Sequence, residues 1–473
     1  MTYPLTVLSR LATLTLLTAA FLGCATKPDP YQDRVDALAA PYVEGNYIVG
    51  MSVGLLVDGE VYTYHYGTTR AGEDSAPDDR TLYEIGSISK TFTGLLLARG
   101  VVEGDWQLDD PVSRYLPGDI ELPDGVTLRR LSTHTSGVPR MPADFAPATM
   151  DDPYVDYGTE QMHATLRTME MSYAPGEGAE YSNLAVGLLG TVMAEQRGVS
   201  YEQMLRDEVL APLRMRHTTI ALSDRQERHF AAPHSGDGEP AHRWDFEALA
   251  GAGAIRSDVR DMLRYAEAQL DPEETPLAEA IALTHRRHTD PEGPSLGQGL
   301  GLGWFILDTQ GDIITAMGHG GQTGGYACFL GFDRANNFAV VVLTNTSNEY
   351  NGQFSHDLRN LLRGEEVEPA DLPARPDPID VPEETLARYI GQYQLAPEMV
   401  FTITTDGGKL YAHLTGQPTL RVYPTSPTEF EYRVVEARIV FELPDDDGPA
   451  TKLTLYQNGA VMESPRIAED DTE

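Results

Sequence analysis

The apolar positions change period along the chain, and each change marks a different kind of structure. Over residues 29–42, Tyr31, Val35, Leu38 and Ala39 recur at the spacing of one helix face. The apolar runs 49–57 and 60–67 are joined by Asp58-Gly59, which predicts a hairpin with a two-residue turn. Residues 70–80 are polar and turn-rich. They lead to Gly86 and Ser87, where a helix is expected to begin because Phe92, Leu95, Leu96 and Arg99 follow at helical spacing. Asp110-Pro111 and Leu116-Pro117 mark a turn with a short helix, and 126–133 reads as another helix that ends at Ser136-Gly137.

From Pro139 to about Leu270 the pattern is mainly helical with long loops. Ser200-Tyr201-Glu202-Gln203 has the form of a capping box, and 258–270 is amphipathic. After Gly301 the period becomes two, so strands are expected over 303–307, 313–317, 326–332 and 338–343. A hairpin near one end and strands at the other, with helices between, predict an α+β domain whose antiparallel sheet draws strands from both ends. Residues 364–382, rich in Pro, Glu and Asp, read as a linker. Beyond it Met399, Phe401 and Ile403, then Leu410, Ala412 and Leu414, then Ile439, Phe441 and Leu443 alternate with polar neighbours, as do Leu453 and Leu455. That alternation predicts a small antiparallel β domain, a meander or partial barrel. The expected division is a leader over 1–24, a first domain over 25–363, the linker 364–382, the β domain 383–467 and an acidic tail 468–473.

Composition adds two points. Asp and Glu number 72 against 35 Lys and Arg, a net charge of -37, which argues against binding nucleic acid or an anionic membrane surface by charge. The apolar run 11–23 follows Arg10 and ends at Cys24; it is short for a membrane span and has the charged start of a signal peptide. Phe21-Leu22-Gly23-Cys24 resembles a bacterial lipobox, with Phe21 where Leu is usual. Cleavage there would make Cys24 a lipid-bearing N-terminus, so an exported, periplasmic or cell-envelope lipoprotein is expected. An ordinary secretory signal is the alternative. Cys328 then has no partner, and no intramolecular disulfide is expected.

The chemistry gathers at Ser87. A capping box wants Glu or Gln three residues after the cap, yet Lys90 stands there, where the helix field favours its neutral form. Residues i and i+3 share a face, and a neutral amine beside a hydroxyl can accept its proton and make it a nucleophile. Tyr181-Ser182-Asn183 follows a Pro175-Gly176 turn and precedes an apolar helical run. Farther on, His319-Gly320-Gly321-Gln322-Thr323 leads into the strand from Ala327. This order of Ser-x-x-Lys, Tyr-x-Asn and a basic residue before Gly-Gly resembles the penicillin-recognising serine hydrolases, in particular their class C β-lactamase and D-alanyl-D-alanine peptidase branch. Leu131-Ser132-Thr133-His134-Thr135-Ser136-Gly137, Gly251-Ala252-Gly253 and Gly301-Leu302-Gly303-Trp304 support it.

The resemblance implies a sheet flanked by helices beside an all-helical region, with the site in the crevice between them and a C-terminal β accessory domain. It implies Ser87 as the acylated nucleophile, with Lys90 or Tyr181 as base and Tyr181 as relay to the leaving group. Asn183 would contact Lys90 and the substrate amide. His319 would polarise Tyr181 or the substrate. The N–H groups of Ser87 and Gln322 would form the oxyanion hole, Gly320 and Gly321 would let a substrate backbone approach, and Thr323 would contact a substrate carboxylate. Most β-lactamases of the group carry lysine where His319 stands, which favours peptidases and esterases. The expected substrates are D-alanyl-D-alanine-type peptides, with β-lactams or small esters as alternatives and an inactive penicillin- or peptidoglycan-binding protein as the rival of another class. His134 is expected to be structural, and His285-Arg286-Arg287-His288 to be a solvated helix face. No cofactor and no metal are expected, since no His-Glu-x-x-His motif or Gly-Lys-Ser/Thr loop is present.

Overall fold

Asp58 and Gly59 both take positive φ (50° and 81°), the geometry of a turn whose twist matches the strands it joins. The computed structural model describes residues 28–467 apart from 144, 291, 374 and 377, so the expected leader with Cys24 and the acidic tail lie outside the described residues. In chain order, helix α1 (Gln32–Val43) precedes strands β1 (Gly50–Val57) and β2 (Glu60–Gly67). Helices α2 (Ser89–Glu103), α3 (Asn183–Arg197) and α4 (Val259–Leu270) follow. Strands β3 (Phe305–Gln310), β4 (Ile313–Gln322), β5 (Ala327–Asp333) and β6 (Phe338–Thr344) then lead to helix α5 (Tyr350–Leu362).

The strands form one antiparallel sheet in the order β2-β1-β6-β5-β4-β3, so strands from both ends of the domain pair at β1–β6, as the α+β reading expects. Because side chains alternate across a strand, Val340 and Val342 pack with Val35, Leu38, Phe354 and Leu358 under α1 and α5. Val341 and Leu343 point the other way, into the larger core with Met262 and Leu263 of α4 and Leu95, Leu96 and Leu97 of α2. Helix α2 is buried on nearly every side, and each of its three consecutive leucines contributes ~1.5–3 kcal/mol relative to exposure.

The C-terminal part is a short helix (Glu383–Ala387) and eight sequential antiparallel strands, from Gly391–Ala396 to Ala460–Pro465. A bridge at Tyr393↔Arg466 and a hydrogen bond from Ile467 N–H to the Gln392 carbonyl (2.8 Å) bring the first and last strands together and nearly close a barrel. Tyr389, Tyr393, Phe401, Phe430 and Phe441 fill it. Its third and fourth strands, Lys409–Leu414 and Thr419–Pro424, meet the first domain at the loop after His234. Glu239 accepts from Lys409 Nζ (2.6 Å) and from Arg421, and Asp237 accepts the Tyr423 hydroxyl. The linker is packed too, with the Arg375 guanidinium 3.8 Å above the Tyr47 ring.

Several expectations need correction. His285-Arg286-Arg287-His288 is no solvated helix face: the helix Ala278–Thr284 ends before it, and His285 is buried against Gln269 and Arg334. Strand β4 runs five residues past its expected end at 317, so it carries His319, and β3 covers its outer side. At Ser200 only half of the capping box forms. Ser200 Oγ accepts from Gln203 N–H, but the Gln203 side chain turns to Asp207. Helix α5 carries no prediction, and half of the C-terminal strands are unmarked by the alternation.

Candidate active site

Three separate parts of the chain converge on Ser87. Gly86–Ile88 is a single 3-10 turn between the Tyr83–Glu84 strand and α2, so Ser87 sits in that turn and α2 begins two residues later. Lys90, in the first turn of α2, is 1% exposed, and its Nζ lies 2.9 Å from Ser87 Oγ. Nζ also donates to Asn183 Oδ1 (2.9 Å) and to the Ala252 carbonyl (2.7 Å). Burial, reinforced by the Arg140 guanidinium, holds the amine well below the usual lysine range. A neutral amine has two hydrogens and one lone pair. In that form Asn183 Oδ1 and the Ala252 carbonyl, which only accept, take both hydrogens and leave the lone pair for the Ser87 hydroxyl. Such an amine can accept a proton from the hydroxyl beside it.

Helix α3 supplies the second group. Ser182, not Asn183, caps it, its Oγ accepting from Ala185 N–H (2.8 Å), which frees the Asn183 amide for Lys90. The other side of that amide faces the Tyr154 hydroxyl, consistent with its oxygen pointing at Lys90. The Tyr181 hydroxyl faces Ser87; burial pushes the phenol up, so Tyr181 holds its proton at neutral pH, and Lys90 Nζ lies 4.8 Å from its ring centre. His134 supports that ring from 4.4 Å, and its Nδ1 accepts from Ser182 N–H (3.1 Å). At φ 58° it holds a left-handed conformation, and it contributes position, not a proton, to the site.

Strand β4 supplies the third side. His319 is buried beside Phe305 (5.1 Å) and 6.2 Å from the Tyr181 ring. Burial, with Lys90 nearby, lowers its imidazole to about 3, and Nδ1–H donates to the Gly320 carbonyl (2.5 Å). The ring is therefore neutral, with Nε2 left as acceptor. Gly86 and Gly321 let the Ser87 turn and β4 touch. A Cβ on Gly321 would fall 1.9 Å from the Ile85 carbonyl oxygen, and one on Gly86 would fall 2.6 Å from Gln322 N. This contact places the N–H groups of Ser87 and Gln322 on neighbouring backbone.

One of the expected substrate contacts lies elsewhere. Gly321 faces Ile85, not the crevice, while Gly320 has open space where a Cβ would stand. Thr323 is buried beside the Glu84 carboxyl, which burial raises to about 7 against the pull of Arg256, and its Oγ1 has no hydrogen-bond partner among the described residues. The Gln322 side chain donates to Ser347 Oγ (3.0 Å). The sequence reading missed the Ala252 carbonyl, although it singled out Gly251-Ala252-Gly253, because no side chain signals a backbone acceptor. It also missed Tyr154 and Arg140. Arg140 stands just past the Ser136-Gly137 phrase, and its guanidinium carbon is 5.4 Å from the Tyr181 ring centre. Among the described residues, His217, Asp258 and Asp261 bring ligand atoms within 4.8 Å of one another. Their oxygens are committed to backbone N–H groups, to His217 and to Arg264, so they form a helix start.

Residues 35–364 match the family model described as Beta-lactamase, and 375–470 match a domain of unknown function, DUF3471. A β-lactamase of Pseudomonas fluorescens is 28% identical over 343 residues, covering 66% of this chain and 92% of that protein. A β-lactamase of Escherichia coli (strain K12) is 30% identical over 301 residues, covering 62% and 75%. The D-alanyl-D-alanine-carboxypeptidase/endopeptidase AmpH of the same strain is 29% identical over 340 residues, covering 68% and 86%.

Proposed function

The chain is a serine hydrolase that belongs to the β-lactamase family, and from that premise we propose that Ser87 is its nucleophile and that D-alanyl-D-alanine-type cell-wall peptides are its substrates. The observation that carries the mechanism is the placement of the buried Lys90 Nζ 2.9 Å from Ser87 Oγ, between the acceptors Asn183 Oδ1 and the Ala252 carbonyl. Lys90 takes the Ser87 proton as Oγ attacks the scissile carbonyl. The oxyanion settles on the N–H groups of Ser87 and Gln322. As the carbonyl–nitrogen bond breaks, Tyr181 gives its proton to the leaving amine and regains one from Lys90, which leaves an acyl-serine and a neutral lysine. Water then attacks the ester by the reverse use of the same groups. Asn183 holds Lys90 and faces the substrate amide, His319 accepts through Nε2 near Tyr181, and the open side of Gly320 admits the substrate backbone.

His-Gly-Gly where most β-lactamases of the group carry a lysine motif favours a peptidase, and the AmpH likeness supports that preference. The named β-lactamase relatives keep β-lactam hydrolysis as the second reading. Export and a lipid on Cys24, with access to peptidoglycan, complete the proposal and rest on the leader sequence.

The test is intact-mass analysis after incubation with a fluorescent penicillin, beside Ser87→Ala. A lasting adduct that Ser87→Ala lacks is the expected result for a peptidase with slow deacylation. Rapid drug loss without an adduct identifies a β-lactamase. Undiminished turnover in Ser87→Ala overturns the mechanism.

A further inference from the structure

Arg140 is the odd charge of this site. The protein carries -37 overall, and basic side chains elsewhere in the first domain commonly pair with carboxylates, as Arg129 does with Asp109, Arg167 with Asp119 and Arg260 with Asp79. Arg140 is exposed and, among the described residues, pairs with no carboxylate. Its one side-chain hydrogen bond is a long one, 3.5 Å to the Tyr181 carbonyl. The guanidinium lies over the face of the Tyr181 ring, against the group proposed to protonate the leaving nitrogen. Its main chain is committed separately: the Arg140 carbonyl accepts from the N–H groups of Asn183 (3.1 Å) and Leu184 (3.2 Å), which fixes where the side chain leaves the backbone.

We propose that Arg140 recognises the free carboxylate of the substrate's leaving residue, making it a specificity-determining residue for substrates with a terminal carboxylate beside the scissile bond. This rests on the reading of Ser87 and Tyr181 above. The leaving nitrogen must lie against the Tyr181 hydroxyl, and in a terminal amino acid the carboxylate is one carbon away from that nitrogen. A guanidinium on the ring of the same tyrosine is within reach of it and offers paired N–H donors in the geometry a carboxylate needs. The surrounding charge fits a single negative group. Burial lowers the Lys90 amine and the His134 and His319 imidazoles from their usual ranges, which leaves the exposed Arg140 guanidinium as the cation set toward the ligand. An anionic substrate approaching so acidic a protein is repelled at long range, and a local cation at the crevice offsets that repulsion where the leaving group binds.

The experiment compares Arg140→Gln, Arg140→Lys and wild type on two matched pairs. One is an N-acylated peptide ending in D-alanyl-D-alanine and its C-terminal amide; the other is 3-acetoxybenzoate and its methyl ester, where the carboxylate is on the leaving phenol. In wild type the acid member of a pair is preferred. Arg140→Gln lowers kcat/KM for the acid by about 10–100-fold more than for the uncharged member of the pair, mainly through KM, since a charge-assisted pair is lost only with the acid. Arg140→Lys restores part of the preference. Equal losses for acid and neutral members, or no loss for either, overturn the assignment. If wild type cleaves only the ester pair, and Ser87→Ala does not, the peptide reading fails while the ester pair still decides the role of Arg140.

Discussion

Replacing Lys90 with Met separates stability from catalysis most directly. The thioether fills the space of the lysine stem but removes the amine, leaving Asn183 Oδ1 and the Ala252 carbonyl without their donor. A buried polar group left unpaired costs about 1–3 kcal/mol. Against that stands the relief of no longer desolvating an amine, so the net loss expected in urea unfolding is about 2–3 kcal/mol, which a domain with ordinary stability of about 5–15 kcal/mol survives folded. Loss of the proton acceptor lowers kcat/KM by about 10²–10⁴. The pH dependence has a definite sign. Lys90 is held well below the ordinary lysine range, so between its folded pKa and that range the folded state binds fewer protons than the unfolded one. Stability from this group therefore rises with pH across that window, while activity falls as pH drops through the folded pKa and the lone pair is protonated. Both dependences flatten in Lys90→Met. A folded Lys90→Met that keeps more than a tenth of wild-type kcat/KM, or keeps the wild-type acid limb, refutes Lys90 as the base.

Gly321→Ala should disturb the turn without touching a reacting group. Its Cβ would meet the Ile85 carbonyl oxygen at 1.9 Å, and backbone must move, so unfolding should show a loss of at least about 1–3 kcal/mol and acylation should slow as the Ser87 and Gln322 N–H groups part. An unchanged acylation rate would separate this contact from the oxyanion hole. Glu239→Gln removes the carboxylate that holds Lys409 and Arg421 of the barrel. The pair is partly exposed, so a loss of about 1–2 kcal/mol is expected, seen as earlier unfolding of the C-terminal part in urea, and high salt should shrink the difference. Equal stability of variant and wild type would show that packing, not this contact, holds the barrel in place.

The elements that depend on neighbours along the chain were legible in the sequence. The Asp58-Gly59 hairpin, the helix after Ser87, the amphipathic helix after Asp258 and the strands after Gly301 each rest on local turn chemistry or on an apolar period. So does the approach of Lys90 to Ser87, because residues three apart stay on one side of the continuous run from the 3-10 turn into α2. The short C-terminal strands are weaker signals, since period two over a few residues is easily masked by polar positions on a partly exposed barrel. The burial of His285 and the placing of Thr323 beside Glu84 depend on partners distant in sequence, Gln269 and Arg334 in one case and the strand before Ser87 in the other. Residue types by themselves determined which groups could act here. Which acceptors surround the Lys90 amine, and that burial lowers it from the usual lysine range, was decided only when folding brought Asn183 and the Ala252 carbonyl to it, because desolvation and acceptors from remote segments set an amine's surroundings.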